Sequence, residues 1–173
     1  YMFRTVSNSY NGYYMRVDSK PAENVPEGRP LTDYSFGDNA WSYLDKMREL
    51  CAANGIQLIM IKAPSLYPYW YPQWDKQVTE YAQKYDIPYI NFVELADDIG
   101  LDYSKDTYDS GLHLNLTGAE KMSVYFGKIL RDTYAVPDRR DDTALSAIWE
   151  QNIKDYEAEI IRQCEKYNVE LTR

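Results

Sequence analysis

Histidine occurs once in this 173-residue sequence and cysteine twice. A single imidazole excludes a zinc site built on several histidines. Cys51 and Cys164 lie far apart, so they make neither a disulfide framework nor a metal-ligand pair. Cys51 falls inside an apolar helical pattern and reads as a buried thiol. No apolar run is long enough to span a bilayer, and no signal-peptide pattern opens the chain. Basic residues are also in short supply, 19 Lys and Arg against 27 Asp and Glu, for a net charge of -8. Nonspecific binding to nucleic acid is therefore disfavoured, and no nucleic-acid partner is expected. Low-complexity tracts and internal repeats are missing. The opening Tyr1-Met2-Phe3 reads as the start of a piece of a longer protein.

What is present is ordinary for a globular chain with a sizeable core, with 45% hydrophobic and 27% charged residues. Tyrosine stands out, at 18 positions. Its flat apolar ring with a polar tip suits half-wet surfaces and the faces of sugars. Over the whole chain it reads first as a tyrosine-rich surface and core edge.

Residues 1–36 read as irregular, with short strands possible at 1–6 and 13–17 and a proline-bearing loop at 20–30. Trp41, Leu44, Met47, Leu50 and Cys51 then recur at helical spacing, and Asn54-Gly55 stops the helix. Asp38 or Asn39 is the expected N-cap. The apolar run 56–61 reads as a buried parallel strand. A helix over 73–85, a strand over 87–92 and a short helix over 93–99 follow. Thr117 opens a strong helix, with Glu120 in capping-box relation. A last helix is expected over 143–167, its apolar stripe packing on the domain. The alternation points to an α/β layered fold with parallel strands. Only two strands are secure, which predicts an incomplete sheet.

His113 stands in Tyr108-Asp109-Ser110-Gly111-Leu112-His113-Leu114-Asn115-Leu116-Thr117-Gly118-Ala119-Glu120. A carboxylate on one ring nitrogen fixes the imidazole tautomer, and the other nitrogen takes a proton from a hydroxyl near neutral pH. Asp109 reaches His113 through a tight turn that Gly111 permits. Asp106 is the alternative acid. The competing view is a structural histidine at a helix entrance, which spacing alone does not separate. Asn115-Leu116-Thr117 matches a glycosylation acceptor, but a helix N-terminus accounts for it better.

The block from Asp109 to Glu120, with Gly118-Ala119 after His113-Leu114-Asn115, resembles the terminal motif of the SGNH/GDSL hydrolase superfamily. It is most similar to the branch of polysaccharide O-acetyltransferases and related bacterial cell-envelope proteins. The similarity runs from about residue 39 to residue 130. It implies a three-layer, flavodoxin-like parallel sheet of SGNH type, here its C-terminal part, with a long C-terminal helix. On that reading 1–36 is an irregular segment, 37–136 the SGNH-like portion and 137–173 the packing helix. The resemblance also implies His113 as base, Asp109 as orienting acid and a serine nucleophile after the first strand.

Two features depart from the family. Three residues separate Asp109 from His113 where the family has two. The Gly-Asp-Ser block is absent, because Gly37-Asp38-Asn39 follows no strand and asparagine cannot serve. The nucleophile is therefore expected upstream of Tyr1. Ser65 follows a strand end but lacks the glycines of a nucleophile elbow, and Ser110 is very near His113 in sequence.

The loop Lys62-Ala63-Pro64-Ser65-Leu66-Tyr67-Pro68-Tyr69-Trp70-Tyr71 leaves the carboxyl end of the first strand, where parallel sheets bind ligands. Tyr67, Tyr69, Trp70 and Tyr71, with Asn115, are the candidate substrate-binding residues. The aromatic rings either form a stacking wall for a sugar or pack over the core. Lys62 reads as a solvated flank or a contact for an anionic group. The expectation is an ester hydrolase or O-acyltransferase acting on an acylated carbohydrate or cell-wall glycan, outside the cytoplasm or at the cell surface. No metal or organic cofactor is implied. The rivals are a noncatalytic carbohydrate-binding or scaffold module of the same fold, and an adaptor that docks through its last helix.

Overall fold

The computed structural model describes residues 13–23, 25 and 27–171. The chain is mixed α/β and helix-rich, with a small parallel sheet of two strands. It divides into two units, one from residues 24–98 and one from residues up to 23 together with those from 99 onward. The expected 37–136 stretch is shared between them. The possible strand at 1–6 lies outside the described residues.

In the unit of residues 24–98, helical spacing becomes α1 (Asp38–Ala53). Gly37 is the N-cap, without a side-chain bond. Asp38 thus lies in the first turn, where its charge meets the helix dipole instead of capping it. Asn54 closes the other end, its side-chain amide donating to the Leu50 carbonyl at 2.8 Å, and Gly55 turns away at φ 64°. The parallel sheet pairs β1 (Met60–Lys62) with β2 (Tyr89–Asn91), Ile61 opposite Ile90 and Lys62 opposite Asn91. Between them α2 (Pro72–Lys84) begins on proline, whose missing N–H costs nothing at a first helical position.

β1 is shorter than the apolar run 56–61, and the expected burial fails there. Ile56 is 57% exposed and Ile61 47%. Parallel strands are buried when flanked and covered on both faces, and β1 pairs with β2 alone among the described residues. The apolar side of α1 is likewise open at Met47 and Leu50, and Cys51 is half-buried, not buried. Aromatic rings do much of the packing instead. Trp41 stacks on Tyr81 with centroids 5.3 Å apart, and Phe36 meets both Trp41 and Trp74. Many of the tyrosines are thus spent on intramolecular ring contacts.

A short helix, α3 (Ala96–Ile99), precedes the histidine loop, and two long helices follow it, α4 (Leu116–Tyr134) and α5 (Thr143–Tyr167). Met15, Val17, Leu116 and Ile160 form the core of this second unit, with Tyr13, Tyr156 and Tyr167 packed against it. Residues 13–17 are irregular and not a strand. They are held by single bonds from the Leu116 N–H to the Arg16 carbonyl (2.7 Å) and from the Gln163 amide to the Met15 carbonyl (2.8 Å). Such isolated bonds do not make a ladder. Asp142 caps α5 by accepting from the Leu145 N–H. Only the C-terminal half of α5 meets the core, while Ile148, Trp149 and Ile153 are exposed.

Candidate functional site

Thr107 and Leu114 form an antiparallel bridge that closes a loop over the residues between them. Thr107 is fully buried. Its hydroxyl lies 3.2 and 3.3 Å from the carbonyl oxygens of Lys20 and Tyr103 and accepts from the Gly111 N–H at 3.1 Å. Ser110 and Gly111 both take positive φ, 64° and 96°. Two left-handed residues in succession reverse the chain between Asp109 and His113.

One carboxylate then holds the histidine twice. Asp109 Oδ1 accepts from the His113 backbone N–H at 2.7 Å, and Oδ2 lies 2.6 Å from the imidazole Nδ1. A carboxylate only accepts, so Nδ1 carries the proton and the neutral ring keeps a free lone pair on Nε2. The His113 side chain is 60% exposed and that of Asp109 28%, which leaves the imidazole accessible and the carboxylate partly sheltered. Tyr108 stacks on the imidazole with centroids 5.8 Å apart. Arg16 sits 4.7 Å from the Tyr108 centroid and forms a fork with Asp18 at 2.7 and 2.6 Å. Burial, and then the Asp109 charge, push the Tyr108 phenol above its ordinary value, so it stays neutral.

Asp106 is not the histidine's acid. It is buried, and its Oδ2 accepts from Lys121 Nζ at 2.6 Å and from the Asp102 N–H at 2.7 Å. Ser110 lies in the turn itself. Asn115, a candidate for substrate contact, is a buried helix cap. Its Oδ1 accepts from the Gly118 N–H, and its amide donates to the carbonyls of Lys105 and Asp18. Every polar atom of that side chain is engaged, and Asn115, not Thr117, caps α4. Gly118 is there for space, since a Cβ would stand 2.4 Å from the Asp106 carbonyl oxygen. Gly118 lets α4 press against the backbone of Asp106.

Tyr67, Tyr69, Trp70 and Tyr71 belong to the unit of residues 24–98, and His113, Asp109 and Asn115 to the other. Tyr67 and Tyr69 are 49% and 43% exposed. Trp70 and Tyr71 turn inward. The Trp70 indole donates to Asp75 Oδ1 at 3.0 Å, and the Tyr71 hydroxyl donates to the Arg29 carbonyl at 2.6 Å. An open groove of about 1240 Å³ follows α5, lined by Tyr13, Glu120, Val124, Trp149, Ile153 and Tyr156; the imidazole does not line it. Thr107, Tyr108 and Arg16 went unread in the sequence. An aromatic residue next to the acid was the available signal for Tyr108, and Arg16 had none.

Among the described residues no group of three His, Cys, Asp or Glu side chains is placed to hold a metal, and no helix is long and apolar enough to cross a membrane. Compared with family models, curated proteins and solved structures, the chain matches none of them.

Proposed function

We propose that the protein is an ester hydrolase or O-acyltransferase of SGNH type, acting on an acylated carbohydrate of the cell envelope. The observation that carries this reading is the Asp109 carboxylate 2.6 Å from His113 Nδ1 on an accessible imidazole. On this reading Nε2 takes the proton of a serine hydroxyl as that oxygen attacks the acyl carbonyl, then passes it to the leaving alcohol. Asp109 holds the ring and steadies the imidazolium. The three-layer sheet is part of the same proposal, with β1 and β2 as two of its parallel strands. The test is release of acetate from an aryl acetate by the full-length protein. His113→Ala should abolish it, and turnover kept in that variant overturns the assignment of His113 as base.

A second reading, a carbohydrate-binding module without turnover, is favoured by the outward Tyr67 and Tyr69. It expects glycan binding that His113→Ala leaves intact and Tyr67→Ala weakens, with no acetate released by either protein.

A further inference from the structure

At the end of β1, Lys62 Nζ donates to the Ser65 hydroxyl at 2.9 Å and to the Ala63 carbonyl at 2.7 Å. Both acceptors are uncharged. The ammonium lies 5.4 Å from the centroid of the Trp70 ring, and burial holds it below the ordinary lysine range. Its backbone is fixed, because Lys62 pairs with Asn91 and its carbonyl accepts from the Phe92 N–H at 3.0 Å. Pro64, buried between the two side chains in sequence, stiffens the link to Ser65. A half-buried hydroxyl is thus held against a desolvated amine at the carboxyl end of a parallel strand, the edge at which such sheets place ligands.

We infer that Ser65 is a nucleophile with Lys62 as its base, a serine–lysine pair for acyl transfer from esters that works without His113. Neutral Lys62 takes the Oγ proton as the Oγ–acyl bond forms. The bond to the alcohol oxygen breaks, and the Lys62 ammonium returns its proton to that oxygen. Water then gives a proton to Lys62 and attacks the acyl group. The acyl–Oγ bond breaks, and the proton goes back to Ser65. A lysine serves as a base only where its surroundings disfavour the charged form, which is the setting here.

The competing account is that the 2.9 Å bond merely ties down the loop. Serine-directed labelling of the intact chain with a fluorophosphonate separates the two. In that reaction an Oγ–P bond forms, the P–F bond breaks with fluoride leaving, and Lys62 takes the proton. One adduct is expected, on Ser65 by peptide mass, with a rate that rises with pH as an amine below the free-lysine range loses its proton. Lys62→Met should label about 100-fold more slowly. Lys62→Arg should be slowed as well, because a guanidinium keeps its proton while preserving charge and donor. Ser65→Ala should show no adduct at that position. A folded chain left unmodified at Ser65 overturns the proposal, and so does Lys62→Arg labelled at the wild-type rate, even if Lys62→Met fails to fold. Aryl acetate turnover lost in Ser65→Ala but kept in His113→Ala would assign it to this pair and refute the role given to His113, so the two readings fail separately.

Discussion

The Tyr108 ring lies nearly parallel to the His113 imidazole, with 10° between the planes. Arg16 sits over the same phenol ring, itself clamped by Asp18, and Tyr14 meets that ring edge-on. The imidazole is therefore restrained in two ways, by a carboxylate bound to Nδ1 and by an aromatic ring against its face. A ring exposed to solvent and held only through Nδ1 would still rotate about that bond. The stack limits this motion, so an imidazole on a surface loop keeps one orientation.

Because His113 is the sole histidine, its ring nitrogens can be followed by NMR without ambiguity. At a pH where the ring is neutral, the Nδ1–H tautomer should predominate. Asp109→Asn should raise the share of Nε2–H, because an amide can donate to Nδ1 as well as accept from it. On the proposed function, aryl ester turnover should fall with it, by roughly 10³-fold or more. A long-range proton–nitrogen spectrum checks the first statement. An unchanged tautomer ratio in Asp109→Asn would show that the carboxylate does not set it.

Gly118→Ala should destabilise the protein by about 1–3 kcal/mol, the usual range for overpacking. The added methyl meets backbone, the Asp106 carbonyl oxygen at 2.4 Å, and backbone cannot swing aside as a side-chain end can. Asn115 gives up its bond to the Gly118 N–H if α4 retreats. Thermal melting reads the cost. Gly127→Ala is the control, since nothing lies near a Cβ built there.

Among the described residues Lys121 is the charged partner of the Asp106 carboxylate, which is 1% exposed, and Lys121→Met removes it. The expected loss is about 3 kcal/mol, at the low end for a broken buried pair because Lys121 itself is partly solvated. Asp106→Asn in the same chain should restore part of it, since an amide carries no charge to leave unpaired. Denaturant unfolding of the two single variants and the double variant measures the coupling. Additive losses would mean that the pair contributes nothing of its own.

The helices were legible because each carries a 3.6-residue pattern long enough to survive local exceptions, and 143–167 coincides with α5. Strand length was not. An apolar run such as 56–61 records what a segment is able to bury, but the ladder depends on a neighbour, and β1 finds it only over Met60–Lys62. The Asp109–His113 contact was readable as a spacing, and Gly111 supplied the turn. The means by which Ser110 shares that turn, with a positive φ of its own, was not. Asn115 illustrates the opposite case. Its motif position suggested substrate contact, whereas its place before a helix gives it three backbone partners that occupy the whole side chain. Arg16 reaches the site from nearly a hundred residues upstream, a distance over which no local pattern operates.

Tyr67 and Trp70 separate the two roles weighed for the aromatic loop. Trp70 contacts Phe36 and Trp74, and its indole shares Asp75 Oδ1 with the Tyr89 hydroxyl and the Asn91 amide. Trp70→Ala therefore leaves a gap among half-buried rings and removes one of three donors to that oxygen, at a cost of about 2 kcal/mol or more. Tyr67 is 49% exposed, and its truncation should change stability by no more than roughly 0.5 kcal/mol. If a sugar stacks on this loop, Tyr67→Ala weakens glycan binding while the melting temperature stays put, and Trp70→Ala lowers both. Calorimetric titration beside thermal melting resolves the pair. Unchanged glycan affinity in Tyr67→Ala would leave the loop with packing alone to account for its rings.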